Sequence, residues 1–361
     1  MCVCRFVKKT LVLAIVVVIL AIVAIVLLIL HFVSNSGTNS PLSITIYSYE
    51  VLNTYDHNHV MDQEGYPNVG FGDLYKNVLL DHPFTQGLLF LNHEQLLESS
   101  GLYGSSYIRK FNLKDGKTTK HMNLPKAYFA EGTALIIDPK TYRKLILVLT
   151  YKEKSLLAYD YNTLELVKTL SYEFNGYGLT SNVDNEISED YLKNSNFPKH
   201  QKLWSTSGDE FLYELEIPES IMDAETIKIK NKLKLTCAGY IIKQANELEY
   251  HHRTQTIFVN VFLTDLIIEF NATKGECVKI INLYGLAKKN TNYEKHLKTA
   301  DAVLNGIAIK PEHSSQTVPN LFVTGKYWSN LFEIKLVKSA DALSAAKILR
   351  PYLTTFGSGN K

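Results

Sequence analysis

Five short turns recur along this chain, each leading into an apolar run, and that recurrence limits the possible folds more than any other feature. The turns are Phe84-Thr85-Gln86-Gly87-Leu88, Ala130-Glu131-Gly132-Thr133-Ala134, Asn175-Gly176-Tyr177-Gly178-Leu179, Ala245-Asn246-Glu247-Leu248-Glu249 and Leu304-Asn305-Gly306-Ile307-Ala308. Apolar segments such as Leu145 to Thr150, Thr256 to Asn260 and Leu321 to Thr324 follow them. Each copy continues into a second run that ends in a polar turn, and most add a fourth, edge-like run, as at Val167 to Tyr172 and Val278 to Leu283. Asn112, Asp160, Glu216, Asn271 and Lys335 fall at equivalent points, 48 to 64 residues apart. Four short alternating strands with turns between them make one propeller blade, so the pattern predicts an all-β, five-bladed β-propeller. Stacked β-sandwiches are the competing architecture, and the spacing near fifty residues with repeated Gly-apolar lead-ins disfavours them. The alternating segment 43–55 is expected to complete the last blade and leave no open edge. Polar insertions at 183–201 and 287–299 read as surface loops or short helices.

The rest of the 361 residues sort by composition. From Leu11 to Leu30 every residue is apolar, and at about 1.5 Å per residue such a run spans the roughly 30 Å hydrocarbon core. Arg5, Lys8 and Lys9 precede it, while 34–41 carries no charge. Basic residues stay on the cytoplasmic side. The expectation is therefore a single-pass type II membrane protein with a cytoplasmic tail (1–9), an uncleaved signal anchor (10–33) and a linker (34–42). The catalytic domain (43–361) then faces the secretory lumen or the exterior. Cys2 and Cys4 are either acylation sites or ordinary reduced thiols. Cys237 and Cys277 would be permitted to pair in an oxidising compartment, but spacing alone does not decide it. Asn271-Ala272-Thr273 is a glycosylation sequon or a plain turn. A net charge of +2 with no clustered basic face predicts no nucleic-acid partner.

The first strand of each propeller blade lines a central channel, so the lead-in turns converge although they lie far apart in sequence. Their side chains are Phe84, Gln86, Phe129, Glu131, Tyr177, Asn246, Glu247 and Asn305; strand ends add Tyr151, Phe262 and Lys326. An aromatic pocket with few polar groups suits a small ligand. It contains no histidine, so no metal or other cofactor is expected. His251 and His252 read as exposed residues of a turn. Glu131 is either solvated on a loop tip or, among Tyr128, Phe129 and Ala130, desolvated enough to take and give a proton near neutrality.

Several of these strings carry a resemblance. Phe-Thr-Gln-Gly-Leu (84–88), Glu-Ser-Ser-Gly-Leu-Tyr-Gly (98–104), Tyr-Phe-Ala-Glu-Gly (128–132), Asn-Glu-Leu-Glu-Tyr (246–250), Thr-Asp-Leu-Ile (264–267), Leu-Asn-Gly-Ile-Ala (304–308) and Thr-Gly-Lys-Tyr-Trp (324–328) resemble the plant and bacterial glutaminyl cyclotransferase family. The resemblance runs in order from about Tyr47 to Leu336. It implies a metal-independent transferase that cyclises N-terminal glutamine of peptides or proteins to pyroglutamate and releases ammonia. By motif, Glu131 resembles the catalytic acid and base, Asn246 and Lys326 the polarising residues, and Phe84, Gln86 and Phe129 the pocket walls. The family usually carries tryptophan where Tyr151, Tyr177 and Phe262 stand, and glycine where Ala130 stands, so indole donors are lost from the pocket. A catalytically inert peptide-binding propeller and a metal-dependent propeller hydrolase are the two other readings.

Overall fold

The computed structural model describes residues 44–57, 82–187, 200–297, 301–339 and 345–356. The expected tail, anchor and linker (1–42) lie outside the described residues. No described helix is long and apolar enough to cross a membrane.

The fold is all-β, with twenty-two strands and little helix among the described residues. Strand β1 (Thr45–Asp56) comes first. A four-stranded meander follows, made of β2 (Thr85–Phe90), β3 (Gln95–Ser100), β4 (Tyr107–Asn112) and β5 (Thr118–Asn123). The next consists of β6 (Ala130–Ile137), β7 (Lys144–Thr150), β8 (Ser155–Asp160) and β9 (Leu166–Ser171). The third is β10 (Leu179–Ser181), β11 (Leu203–Thr206), β12 (Phe211–Glu216) and β13 (Lys228–Lys234). A small hairpin, β14 (Thr236–Cys237) and β15 (Tyr240–Ile241), leads to the fourth: β16 (Ala245–His251), β17 (Thr256–Val261), β18 (Leu266–Asn271) and β19 (Cys277–Asn282). The fifth holds β20 (Leu304–Ala308), β21 (Leu321–Gly325) and β22 (Asn330–Lys338), and its fourth strand is β1. β1 runs antiparallel to β22 from Tyr47↔Lys338 to Asp56↔Asn330. Its other edge pairs in parallel with β19 at Thr45↔Lys279 to Tyr47↔Ile281, which merges the last two meanders into one eight-stranded sheet.

The first strands form a closed cycle. β2 lies beside β20 and β6, β6 beside β10, β10 beside β16, and β16 beside β20. β2, β6, β10 and β20 are buried along their length and β16 over its first four residues, whereas β5, β9 and β13 are half-buried or exposed at nearly every position. A strand covered on both faces needs a nearly continuous apolar run, which is why Ala134-Leu135-Ile136-Ile137 has no polar residue. Side chains alternate between faces at period two. Leu135 and Ile137 therefore enter a core shared with Leu89, Leu97 and Ile108 of the first meander. Ala134 and Ile136 enter another, shared with Leu179, Leu203 and Tyr213 of the third. Three further cores fill the remaining gaps, Trp204 with Leu248 and Ile257, Phe258 with Leu304 and Val323, and Phe322 with Phe90 and Phe111. Each of the five meanders is thus packed on two neighbours.

The seam between the first and fifth meanders carries a buried ionic cluster. Glu98 lies 2.7 Å from Arg109 and 3.0 Å from His57, all three fully buried, and accepts a 2.7 Å hydrogen bond from Thr85. His57 directly follows β1, and its Nδ1 lies 3.2 Å from Trp328 O and 3.1 Å from Thr324 Oγ1. The cluster therefore joins the first meander to the fifth. Cys237 and Cys277 are disulfide-bonded, closing a loop with a separation of 40 residues that ties β14 to β19. His251 departs from the reading above. It ends β16 fully buried, with Nε2 2.8 Å from Gln316 O and Nδ1 2.6 Å from Thr254 Oγ1. The last described helix, Ala345–Phe356, puts Leu349 into the core between the third and fourth meanders.

Burial pushes the Glu98 carboxyl up, but Arg109, His57 and the hydrogen bonds from His57 and Thr85 outweigh it and bring the pKa down to about 2. A depressed carboxylate contributes stability above its unfolded pKa that is lost as pH falls through the folded value. Glu98→Gln removes the carboxylate that neutralises the buried Arg109 charge and should cost about 3–5 kcal/mol near neutrality. Urea denaturation of both proteins from pH 7 to pH 2 checks this. The gap should narrow as the pH falls towards 2, and a gap that is small at pH 7 would contradict the ionic role.

Candidate active site

The described site lies at the starts of the first strands, where their ladders are interrupted. Pairing slips between Thr85 and Gly87, between Ala130 and Thr133, between Ala245 and Leu248, and between Leu304 and Ile307. A bulge bends a strand and re-aims the side chains it leaves unpaired. The residues in these gaps are Gln86, Glu131, Asn246 with Glu247, and Asn305. In the third meander, Tyr177 N–H donates to Thr206 O (2.9 Å) and Thr206 N–H to Gly178 O (3.1 Å) just ahead of β10. The glycines beside these residues reflect close approach of the next first strand. A Cβ on Gly132 would lie 2.3 Å from Leu179 N, and one on Gly178 would lie 2.0 Å from Asn246 O.

A second ring of turns surrounds the first. Each loop between a second and a third strand holds at least one left-handed residue: Leu102 (φ 108°) with Gly104 (78°), Lys154 (52°), Gly208 (77°), Leu263 (62°) and Tyr327 (63°). Such conformations cost free energy for a side chain as bulky as Leu or Tyr and concentrate at functional sites. Two of these residues directly follow Phe262 and Lys326.

The aromatic residues make a continuous arc. Phe84 meets Tyr327 at 4.9 Å and Phe129 at 5.9 Å, Phe129 meets Tyr151 at 6.0 Å, and Tyr151 meets Tyr177 at 5.7 Å between ring centroids. Lys326 Nζ lies between two faces, 4.7 Å from the Phe84 centroid and 4.8 Å from that of Phe262. Phe84, Phe129, Tyr151, Tyr177, Phe262 and Lys326 are therefore brought together. Phe129, Tyr151, Tyr177 and Phe262 are partly exposed, whereas Glu131, Asn246 and Lys326 are only 4%, 5% and 6% exposed.

Glu131 is buried and not solvated at a loop tip. Its backbone carbonyl accepts a 2.6 Å hydrogen bond from Ser99 Oγ, while no described residue donates a hydrogen bond to its carboxyl. Burial raises its pKa well above the usual carboxylate range; the charge of Lys326 opposes this and that of Glu153 adds to it. Burial lowers the Lys326 pKa, opposed by Glu131 and Asp301. Each partner is therefore shifted towards its neutral form, as desolvation demands. Tyr177 is pushed up by burial, by Tyr151 and by Glu131.

The remaining residues divide. Asn246 O accepts from Thr206 Oγ1 at 2.7 Å, and its Oδ1 is buried with no hydrogen-bond partner among the described residues. Asn305 is fully buried, and its Nδ2 donates to Thr85 O (2.8 Å) and Gln86 Oε1 (3.2 Å), so it fixes Gln86 from beneath. Glu247 is occupied elsewhere, accepting from Ile307 N–H at 2.8 Å and Leu88 N–H at 3.4 Å. Tyr327, Tyr103 and Glu153 were not in the predicted constellation. Tyr103 and Tyr327 sit in the strings 98–104 and 324–328, which was the available signal.

The sequence profile of the glutamine cyclotransferase family matches residues 74–191 and 201–336. The chain belongs to the glutamine cyclotransferase family. Within it, a glutaminyl-peptide cyclotransferase of Arabidopsis thaliana is 29% identical over 262 residues, covering 72% of this chain and 69% of that relative. The crystal structure of Myxococcus xanthus glutaminyl cyclase superposes with a TM-score of 0.59 at 21% identity, covering 82% of this chain and 99% of that one. The likeness to the Myxococcus protein is one of fold.

In this cyclotransferase-family chain the position of Asn246 depends on a missing side chain at residue 178. Gly178→Ala should displace the Asn246 backbone, with an overpacking cost of about 1–3 kcal/mol. Thermal melting and steady-state kinetics together test this. A normal melting temperature with unchanged turnover would show that the close approach is unimportant.

Proposed function

We propose that this chain is a glutaminyl-peptide cyclotransferase that converts N-terminal glutamine of peptides or proteins to pyroglutamate with release of ammonia. The observation that carries the reading is Glu131: a buried carboxyl, free of hydrogen bonds from described residues, beside Lys326 in an aromatic arc of a glutamine cyclotransferase family member.

The substrate supplies its own nucleophile. Its α-amine attacks the γ-carboxamide carbon of the same residue, so the site has only to fold the side chain back and hold it. Phe84, Phe129, Tyr151, Tyr177 and Phe262 offer apolar faces for the methylenes and keep water out, with Gln86 held in place by Asn305. The attacking amine loses a proton as the C–N bond forms, and the departing amide nitrogen gains one as ammonia leaves. Glu131 is assigned both transfers. A carboxyl raised by burial can accept from one nitrogen and donate to the next near neutral pH. The carbonyl oxygen gathers negative charge on the way, and Lys326 Nζ and the Asn246 amide are the donors assigned to it. Every proton and charge is then handled by side chains, without a metal ion.

Within the same reading the five meanders are the blades of a five-bladed β-propeller. The closed cycle of first strands and the five cores between adjacent sheets support this. The apolar run 11–30 and its flanking charges support a type II signal anchor, and the Cys237–Cys277 disulfide fits a domain in an oxidising compartment.

Two measurements follow. Incubated in chelator with a glutamine-N-terminal peptide, the domain 43–361 should release ammonia, read by mass spectrometry. Glu131→Gln should lower turnover by about 10³-fold or more with the fold retained. Retained turnover would end the assignment of Glu131, and failure of the wild type would end the proposed activity. In microsomes, the full chain should resist carbonate extraction with residues 43–361 protected from added protease. Digestion of that domain in intact vesicles would overturn the topology.

A further inference from the structure

Glu153 and Tyr103 stand at the outer edge of the arc, on loops of two different meanders. Tyr103 OH donates to Glu153 Oε1 at 2.7 Å, and Phe129 N–H lies 3.5 Å from Glu153 Oε2. The Tyr103 ring meets Phe129 edge-on at 5.3 Å. Phe129 is half-buried in the middle of the arc and Tyr103 is 43% exposed, so this contact carries the pocket wall out to solvent. A peptide whose glutamine fills the pocket must leave it past such a rim.

The charge on Glu153 has no ion-pair partner among the described residues. On the same meander Asp160, by contrast, is paired with Arg143 at 2.8 Å. No described Lys, Arg or His lies within ion-pair distance of Glu153. The neighbouring Lys152 lies instead over the Tyr151 ring, 5.0 Å from its centroid. Glu153 also acts on its surroundings, contributing to the rise of Glu131 and, after burial, holding the Tyr103 hydroxyl up at about 12. Asp301, exposed and electrostatically coupled to Lys326, adds a second negative charge near the site.

We propose, resting on the cyclotransferase reading, that Glu153 and Tyr103 form an outer subsite that takes the residue following the substrate glutamine and favours a basic side chain there. Tyr103 offers the flat face on which that side chain lies, and the half-buried carboxylate attracts its charge. An acidic side chain at the same place meets repulsion.

The test uses three peptides identical except for Lys, Ala or Glu after the N-terminal glutamine, assayed for ammonia release at low and high salt. The wild type should favour Lys over Glu by about tenfold in kcat/KM at low salt, a ratio that shrinks as salt screens the charge. Glu153→Gln should bring the ratio close to one, and Glu153→Lys should invert it. All three peptides present the same glutamine, so any effect of these variants on Glu131 divides out of the ratio. Equal use of Lys and Glu peptides by the wild type, or a ratio that survives Glu153→Gln, would overturn the subsite. Failure to release ammonia from any of the three would instead bring down the cyclotransferase reading on which it rests.

Discussion

The innermost strands of a closed cycle of sheets have one edge with no further strand to pair, and their backbone groups are buried there. Unpaired buried N–H and C=O groups are costly, so each needs a substitute partner. Side chains supply them. Glu247 serves Leu88 and Ile307, Glu249 serves Ile309 at 2.8 Å, Thr180 serves Tyr250 at 3.0 Å, and Asn260 serves Gly306 at 3.0 Å. Ser181 Oγ donates to Leu135 O at 2.5 Å, as Ser99 Oγ does to Glu131 O. These bonds lock each first strand to its neighbour. They also bring carboxyls inside, with Glu247 raised well above its ordinary range by burial and by Glu249, and Glu249 raised to about 8 by burial. Glu131 has the same burial without the same duty, and that leaves its carboxyl available for chemistry.

The parts of this arrangement legible in the sequence were those written in local pattern. Glycine beside apolar runs marked the first strands, because the close approach of neighbouring strands excludes a Cβ at Gly132 and Gly178. Period-two alternation marked the outer strands, and 43–55 was recognisable as the strand that returns to the fifth sheet. Glu131, Lys326 and the aromatic residues were placed together because repeated turns must converge once the cycle closes. Lateral contacts were not legible. Nothing near His251 in sequence announces that Gln316 will cover it, and nothing near Glu247 that it will serve strands from two other meanders. The disulfide was undecided for the same reason, since residues 237 and 277 are brought together by a hairpin and the end of a different sheet.

The arc of rings is held by turns under strain. Left-handed Leu263 and Tyr327 fix the loops directly after Phe262 and Lys326, and Lys154 does so shortly after Tyr151. A loop held in this way has few alternative conformations, so its aromatic side chain is presented with little entropy left to lose on binding. Tyr151 and Tyr177 bring both a flat face and a hydroxyl to the arc. Phe262 offers only a face, and Lys326 Nζ lies 4.8 Å from its centroid.

The double pairing of β1 has a consequence for how the chain is made. Ser48 bonds to Val337, a separation of 289 residues. During synthesis the strand Thr45–Asp56 therefore emerges early and waits with both edges bare while four sheets are built behind it. Its parallel partner arrives with β19 and its antiparallel partner only with β22. Contacts this distant in sequence form slowly and leave exposed edges at risk of wrong pairing. Residues 45–56 are therefore the stretch that a chaperone, or simply quick completion of the polypeptide, has most reason to shield.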